Sequence, residues 1–255
     1  MTQDPFATHG IGHLSASSLN TYASQPAAWA MSYLLKRRLP VGASAHRGTA
    51  IESGVSAGLF DPAKPVEDCI AIALAEYDRL TALSGDPRRE AQRKVVQDTV
   101  PVALTELRQY GVPTAPEEGQ HQHRISKPLG EGLPDLVGYL DFYWQDHGLV
   151  LDLKTTERVP GQISSSHARQ GSGYVVNTNQ ICRFAYCSPK KVAVYQLEGV
   201  ADHWAHLQAI ANRLRRFLAI SADKNELISL LVPDVDSFYW SDPAAEAARK
   251  EIYGM

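Results

Sequence analysis

The sequence predicts an α/β protein: a central mixed β-sheet flanked by helices, with further helical additions at both ends. Three observations predict it. Residues 14–110 carry apolar side chains at helical spacing. Residues 121–200 hold short runs of β-branched and aromatic residues with turn residues between them. From Trp204 onward the helical spacing returns. Strands with helices before, within and after them form the layers of one α/β domain, taken here as residues 1–255.

Element by element, Ser15 is a natural cap for a short helix through Tyr22, and Pro26 suits the first turn of a second helix reaching about Arg38. Pro40-Val41-Gly42 breaks that helix, and a third, rich in Gly, Ala and Ser, carries Thr49 to Leu59. Two longer helices are expected at Val66 to Leu83 and Pro87 to Tyr110, with Gly111 as the stop. Val112 to Gln122 reads as a loop. Strands are expected at His123 to Leu129, Asp135 to Trp144, Leu149 to Thr155, Ile181 to Cys187 and Lys191 to Gln196. A helix from Gln162 to Tyr174 interrupts them. Trp204 to Ile220 and Ala244 to Ile252 form the C-terminal helices within residues 201–255.

Composition narrows the function classes. With 25 basic and 28 acidic residues the net charge is −3, which argues against a protein that coats nucleic acid by bulk charge. An enzyme holding DNA in one basic groove remains open. The basic clusters Lys36-Arg37-Arg38, Arg88 to Lys94, Lys190-Lys191 and Arg213 with Arg215-Arg216 read first as solvated faces. No apolar run has the length of a membrane span, and residues 1–13 lack a secretory pattern. Three cysteines without a CxxC pair fit reduced thiols, so a cytoplasmic setting and no membrane partner are expected. No G-x-S-x-G, P-loop or G-x-G-x-x-G occurs, and His203 with His206 lacks a third metal ligand.

The chemistry concentrates in two strands joined by Gln145-Asp146-His147-Gly148. A turn centred between Asp146 and His147 puts Asp141 directly across from Asp152, with Lys154 on the same face. Directly opposed residues have Cβ atoms about 5 Å apart, and two carboxylates that close repel unless a cation lies between them. Leu149, Leu151 and Leu153 then face the core. The alternative is a solvated strand edge. Leu140, Phe142, Tyr139 and Val150 around the two acids point instead to a polar cleft in an apolar wall, the geometry of a metal-dependent phosphodiester hydrolase.

Asp141 followed by Asp152-Leu153-Lys154 resembles the core of the PD-(D/E)XK nuclease superfamily. Arg47-Gly48-Thr49-Ala50-Ile51-Glu52 resembles the helix that precedes that core. Gln170 and Tyr174, four apart, resemble the Q-x-x-x-Y signature of its RecB-like branch, which includes phage nucleases related to lambda exonuclease. Leu14 to Leu19 with Tyr22 and Pro26 resembles that branch's opening segment, so the likeness spans residues 14–197. Asp135 follows Pro134 but would pair beyond the second strand, with Arg158. Relatives with an iron–sulfur cluster place a cysteine before the matching proline, where this chain has Gln25, so no cluster is expected. Glutamate at position 52, where many RecB-like relatives have histidine, tilts the likeness toward the lambda type.

What the resemblance implies is a DNA nuclease using one or two Mg²⁺ or Mn²⁺ ions. Glu52, Asp141, Asp152 and the backbone carbonyl of Leu153 would be oxygen ligands. Lys154 would stabilise charge or orient water, and Gln170 and Tyr174 would position groups around it. DNA contacts are expected from Ser15, Ser17 and Ser18 at a helix start, from Arg47 and Arg37, and from His167, one turn before Gln170. The likeness further implies an exonuclease acting on ends in recombination, repair or phage DNA metabolism, partnered by DNA and by a single-strand annealing or other recombination protein, and it leaves a homo-oligomer open. A structure-specific or restriction-like endonuclease, and a non-catalytic DNA-binding protein of the same fold, stay open.

Overall fold

The computed structural model describes residues 4–38, 41–118 and 120–255, and the following statements concern these. The helices are α1 (Pro5–Thr8), α2 (Ala16–Ser24), α3 (Pro26–Trp29), α4 (Ala43–Phe60), α5 (Val66–Leu80), α6 (Arg89–Leu107), α7 (Ser165–Thr178), α8 (Val200–Leu218), α9 (Lys224–Ser229) and α10 (Pro243–Tyr253). The strands are β1 (His123–Pro128), β2 (Asp135–Leu140), β3 (Phe142–Trp144), β4 (Leu149–Thr155), β5 (Ile181–Cys187) and β6 (Val192–Gln196). The chain is therefore α/β, and no helix is long and apolar enough to cross a membrane.

The expected single sheet is two. One is the β1–β2 antiparallel hairpin; the other has the order β3-β4-β5-β6, with β4 and β5 parallel and the outer pairs antiparallel. The strand expected from Asp135 to Trp144 breaks at Asp141, after which the chain changes partner from β1 to β4. A side-chain bond replaces the ladder there: the Asp141 carboxylate, not a backbone carbonyl, accepts the Leu153 N–H at 2.8 Å. Gly148 in the left-handed region, φ 62°, closes the Gln145–His147 turn and sets the β3–β4 register.

Strand β4 is buried on both faces. Leu149, Leu151 and Leu153 pack with α4 and α6 residues such as Ile51, Val55, Val100 and Leu104. On the other face Val150 joins Cys182, Phe184, Tyr186 and Tyr174, the last on α7. A third cluster unites α2, α3 and α8 through Leu19, Trp29, Leu207, Ile210 and Leu214. All three cysteines are buried and free.

Helix limits follow local chemistry. Ser15 caps α2 with a reciprocal Ser15–Ser18 capping box. The second helix does not run to Arg38: after Trp29 it widens into a π turn, Ala30–Leu34, and Lys36 at φ 57° ends it. Helix α4 starts earlier than expected, at Ala43. Gly42 offers no capping side chain, so Asp86 from the α5–α6 connection accepts the Ala43 N–H at 3.0 Å. Helix α7 begins at Ser165 rather than Gln162, because Ser164 caps it by accepting the His167 N–H. The short helices α1 and α9 and the 3₁₀ turn Phe238–Trp240 were outside the sequence expectation.

Candidate active site

Position 141 is where two hairpins meet. The last β3–β4 pair is Phe142↔Leu151, so Asp141 stands one step on, opposite Asp152. The last β1–β2 pair is His123↔Leu140, so on its other side Asp141 faces Gln122. A single carboxylate thus has cross-strand neighbours from both hairpins. The register expected for Asp141 and Asp152 holds.

Asp152 is completely buried beneath α7. Its Oδ1 accepts from Gln170 Nε2 and from Tyr174 Oη, each at 3.1 Å, while Gln170 Nε2 also lies 2.5 Å from Tyr174 Oη. Its Oδ2 lies 2.6 Å from Lys154 Nζ, but this is a charge contact without hydrogen-bond direction, and Oδ2 has no directed donor. A buried carboxylate oxygen without one is uncommon, because burial costs it solvation.

Glu52 reaches the group from α4. Gln122 Nε2 donates to Glu52 Oε1 at 2.7 Å and to Asp141 Oδ1 at 3.1 Å, joining the two acids. Burial pushes the Glu52 carboxyl above its ordinary value, and the negative Asp152 adds to this; Lys154 and Gln122 partly offset them. Asp141 is raised well above the usual carboxylate range by the same order of causes: desolvation first, then Asp152 and Glu52. Part of its surface opens to a cleft, yet the atoms packed around it desolvate it as an interior group. For Lys154, burial opposes the charge, but Asp152 and Asp141 outweigh it and raise the amine further, so it is a cation.

The cleft has a volume of about 400 Å³ and runs from Asp141, Gln122, Gln170 and Tyr174 to Ser15 and Ser17 at the start of α2. A larger hollow of about 710 Å³ lies elsewhere, beside Arg215 and Arg216, and contains none of the acids just described. Ser15 and Ser17 therefore share a cavity with Asp141, whereas Ser18 is buried in the capping box. The hydroxyls of Ser15 and Ser17 lie 3.0 Å apart.

Other expected contact residues are placed differently. Arg47 is buried, and its Nη1 bonds Gln92 and reaches Glu157 at 3.5 Å; it holds α4, α6 and the end of β4 together. Arg37 is on the surface in a 2.7 Å ion pair with Glu251. His167 is not a cation at neutral pH. Burial, then the neighbouring Lys154 charge, push it down to about 4, and its Nδ1 lies 2.7 Å from Tyr186 Oη. Arg88 and Arg93 are paired with Asp86 and Asp78. Gln122 was missed by sequence reasoning, lying at the end of a loop that read as a connector.

Hard oxygen donors, a buried Asp152 oxygen without a directed donor, and two further carboxylates held above their ordinary values suit a divalent cation of the Mg²⁺ or Mn²⁺ type. In the conformation described, however, no three His, Cys, Asp or Glu side chains among the described residues converge as ligands on one point. The Gln122 amide stands between two of the acids. The donor chemistry fits the ion, while the side chains as placed do not converge on it.

No family model and no curated protein matches this chain. A solved structure described as "Crystal structure of SSO0001" is similar over 90% of this chain and 94% of that one, at 12% identity and a TM-score of 0.38.

Proposed function

We propose that this chain is a metal-dependent DNA phosphodiesterase with a PD-(D/E)XK core, acting from DNA ends. The observation that carries the reading is the meeting of Glu52, Asp141, Asp152 and Lys154 where two hairpins join, with Asp141 in the wall of a cleft that reaches the start of α2. Action from ends rests on the resemblance of the sequence motifs alone.

Glu52, Asp141, Asp152 and the Leu153 carbonyl would hold the cation, which when bound supplies Lewis-acid polarisation of the phosphate and a more acidic water. Lys154 remains protonated beside Asp152 and is suited to stabilise negative charge building on the phosphoryl oxygens. Gln170 and Tyr174 fix Asp152 by two hydrogen bonds to one oxygen, leaving the other toward Lys154. Tyr174 stays un-ionised, since burial and the two nearby aspartates push its hydroxyl well above the usual range, so it acts as a donor. Ser15 and Ser17, with the free amides of the α2 first turn, would accept a neighbouring phosphate along the cleft.

The test uses purified protein, labelled linear duplex and covalently closed circular DNA with Mg²⁺. Digestion of the linear duplex, an intact circle, and loss of cleavage with retained DNA binding in Asp152→Asn and Lys154→Ala are expected. Nicking of the circle would replace the exonuclease by an endonuclease. Undiminished digestion by either variant removes the assignment.

A further inference from the structure

We infer that Gln122 is a ligand of the cation that changes ends: its amide nitrogen bridges Glu52 and Asp141 without the ion, and its amide oxygen faces the ion when it binds. The inference rests on the metal-dependent reading of the same site. Gln122 stands opposite Asp141, one step past the β1–β2 ladder, so its backbone is fixed by the neighbouring His123↔Leu140 pair. Its side chain is half-buried and reaches both acids. Among the described residues it is the one hydrogen-bond donor to Glu52, and Asp141 Oδ1 has no other.

Two neighbouring carboxylates at an effective dielectric of about 20 repel by roughly 4 kcal/mol at about 4 Å. An amide answers this with two N–H groups, one donated to each acid, but with no charge. A divalent ion entering between them would meet the positive N–H end. The terminal amide torsion of glutamine is broad and two-fold, so reversing it costs little and replaces two donors by a carbonyl oxygen. That oxygen is a neutral hard donor of the kind such ions take. The N–H end is fixed inward without the ion because a carbonyl aimed at two anionic oxygens is repelled.

Mn²⁺ binding, followed by calorimetry on the full chain, separates this from simple displacement. Wild type should bind Mn²⁺ saturably, Asp141→Asn should not, Gln122→Ala should bind about tenfold or more weakly, and Gln122→Glu should bind more tightly. Unchanged or tighter binding by Gln122→Ala, with Asp141→Asn silent, overturns the inference alone: the amide is then a placeholder the ion expels. Absence of saturable binding in folded wild type overturns the metal-dependent reading and the inference with it. Circular dichroism confirms folding of each variant. Should Gln122→Ala not fold, binding by Gln122→Glu no tighter than wild type overturns the inference.

Discussion

His167 shows how burial decides the role of a side chain. Its ring stacks on Phe184 at 5.8 Å with 16° between the planes and lies 2.7 Å from the Tyr186 hydroxyl. Desolvation first, and the Lys154 cation second, lower it to about 4. The folded state therefore favours the neutral ring. Stability from this group is complete above the ordinary histidine value and is lost as pH falls from about 6.5 through about 4. The shift corresponds to about 3 kcal/mol at most, and partial exposure reduces this to roughly 1–2 kcal/mol. His167→Phe keeps the stacking but cannot titrate. Its unfolding free energy, measured by urea titration from pH 7 to pH 4, should fall by that much less than wild type's; equal acid sensitivity contradicts the assignment. The sequence places His167 one turn before Gln170 but holds no sign that Phe184 and Tyr186 enclose it. Asp141 and Asp152 were legible because one turn fixes their register. Gln122 was not, because the six residues from Leu129 to Pro134 leave the register of the β1–β2 hairpin open in the sequence.

Helix α4 carries Glu52 to the aspartates, and its glycines set how close it lies to its neighbours. A Cβ on Gly54 would sit 2.6 Å from the Cys69 carbonyl oxygen and 2.8 Å from the Ala73 Cβ. Backbone on α5 cannot yield as a flexible side chain would. A Cβ on Gly58 would meet Leu104 and Cys69 side chains at 2.8 and 2.9 Å. Glycine in a helix costs about 1 kcal/mol relative to alanine, so its presence here is explained by the approach it permits. Gly54→Ala should invert that gain, destabilising the protein by about 1–3 kcal/mol through overpacking. Because Glu52 lies half a turn away on the same helix, the proposed nuclease activity should drop more than the folded fraction does. Thermal melting and specific activity on one preparation check both, and a melting temperature at or above wild type refutes the packing account. The Gly/Ala/Ser richness of this stretch was visible in the sequence. Its longer N-terminal limit was not, since the group that caps it, Asp86, comes from another connection.

At the scale of the whole molecule, the site is bought with stability. Glu52 and Asp141 are both raised chiefly by desolvation, and Asp152 is entirely buried with one oxygen lacking a directed donor. Such a group raises the free energy of the metal-free fold while the surrounding clusters on both faces of β4 hold it in place. An ion bound by the folded chain and not by the unfolded one stabilises in proportion to RT ln(1 + [ion]/Kd). At one hundred times Kd this is about 2.7 kcal/mol, which for a chain of this length corresponds to a melting shift of roughly 5–10 °C. Mg²⁺ or Mn²⁺ should therefore raise the melting temperature of wild type, and chelator should reverse it. Asp141→Asn removes one proposed ligand and one source of repulsion at once. It should melt at or above metal-free wild type in chelator yet gain little from the ion, a crossover that loss of packing cannot produce. Differential scanning calorimetry of both proteins with and without ion measures it. Equal ion-induced shifts in the two would mean the ion binds elsewhere, and the cleft at Asp141 would lose its claim to the chemistry.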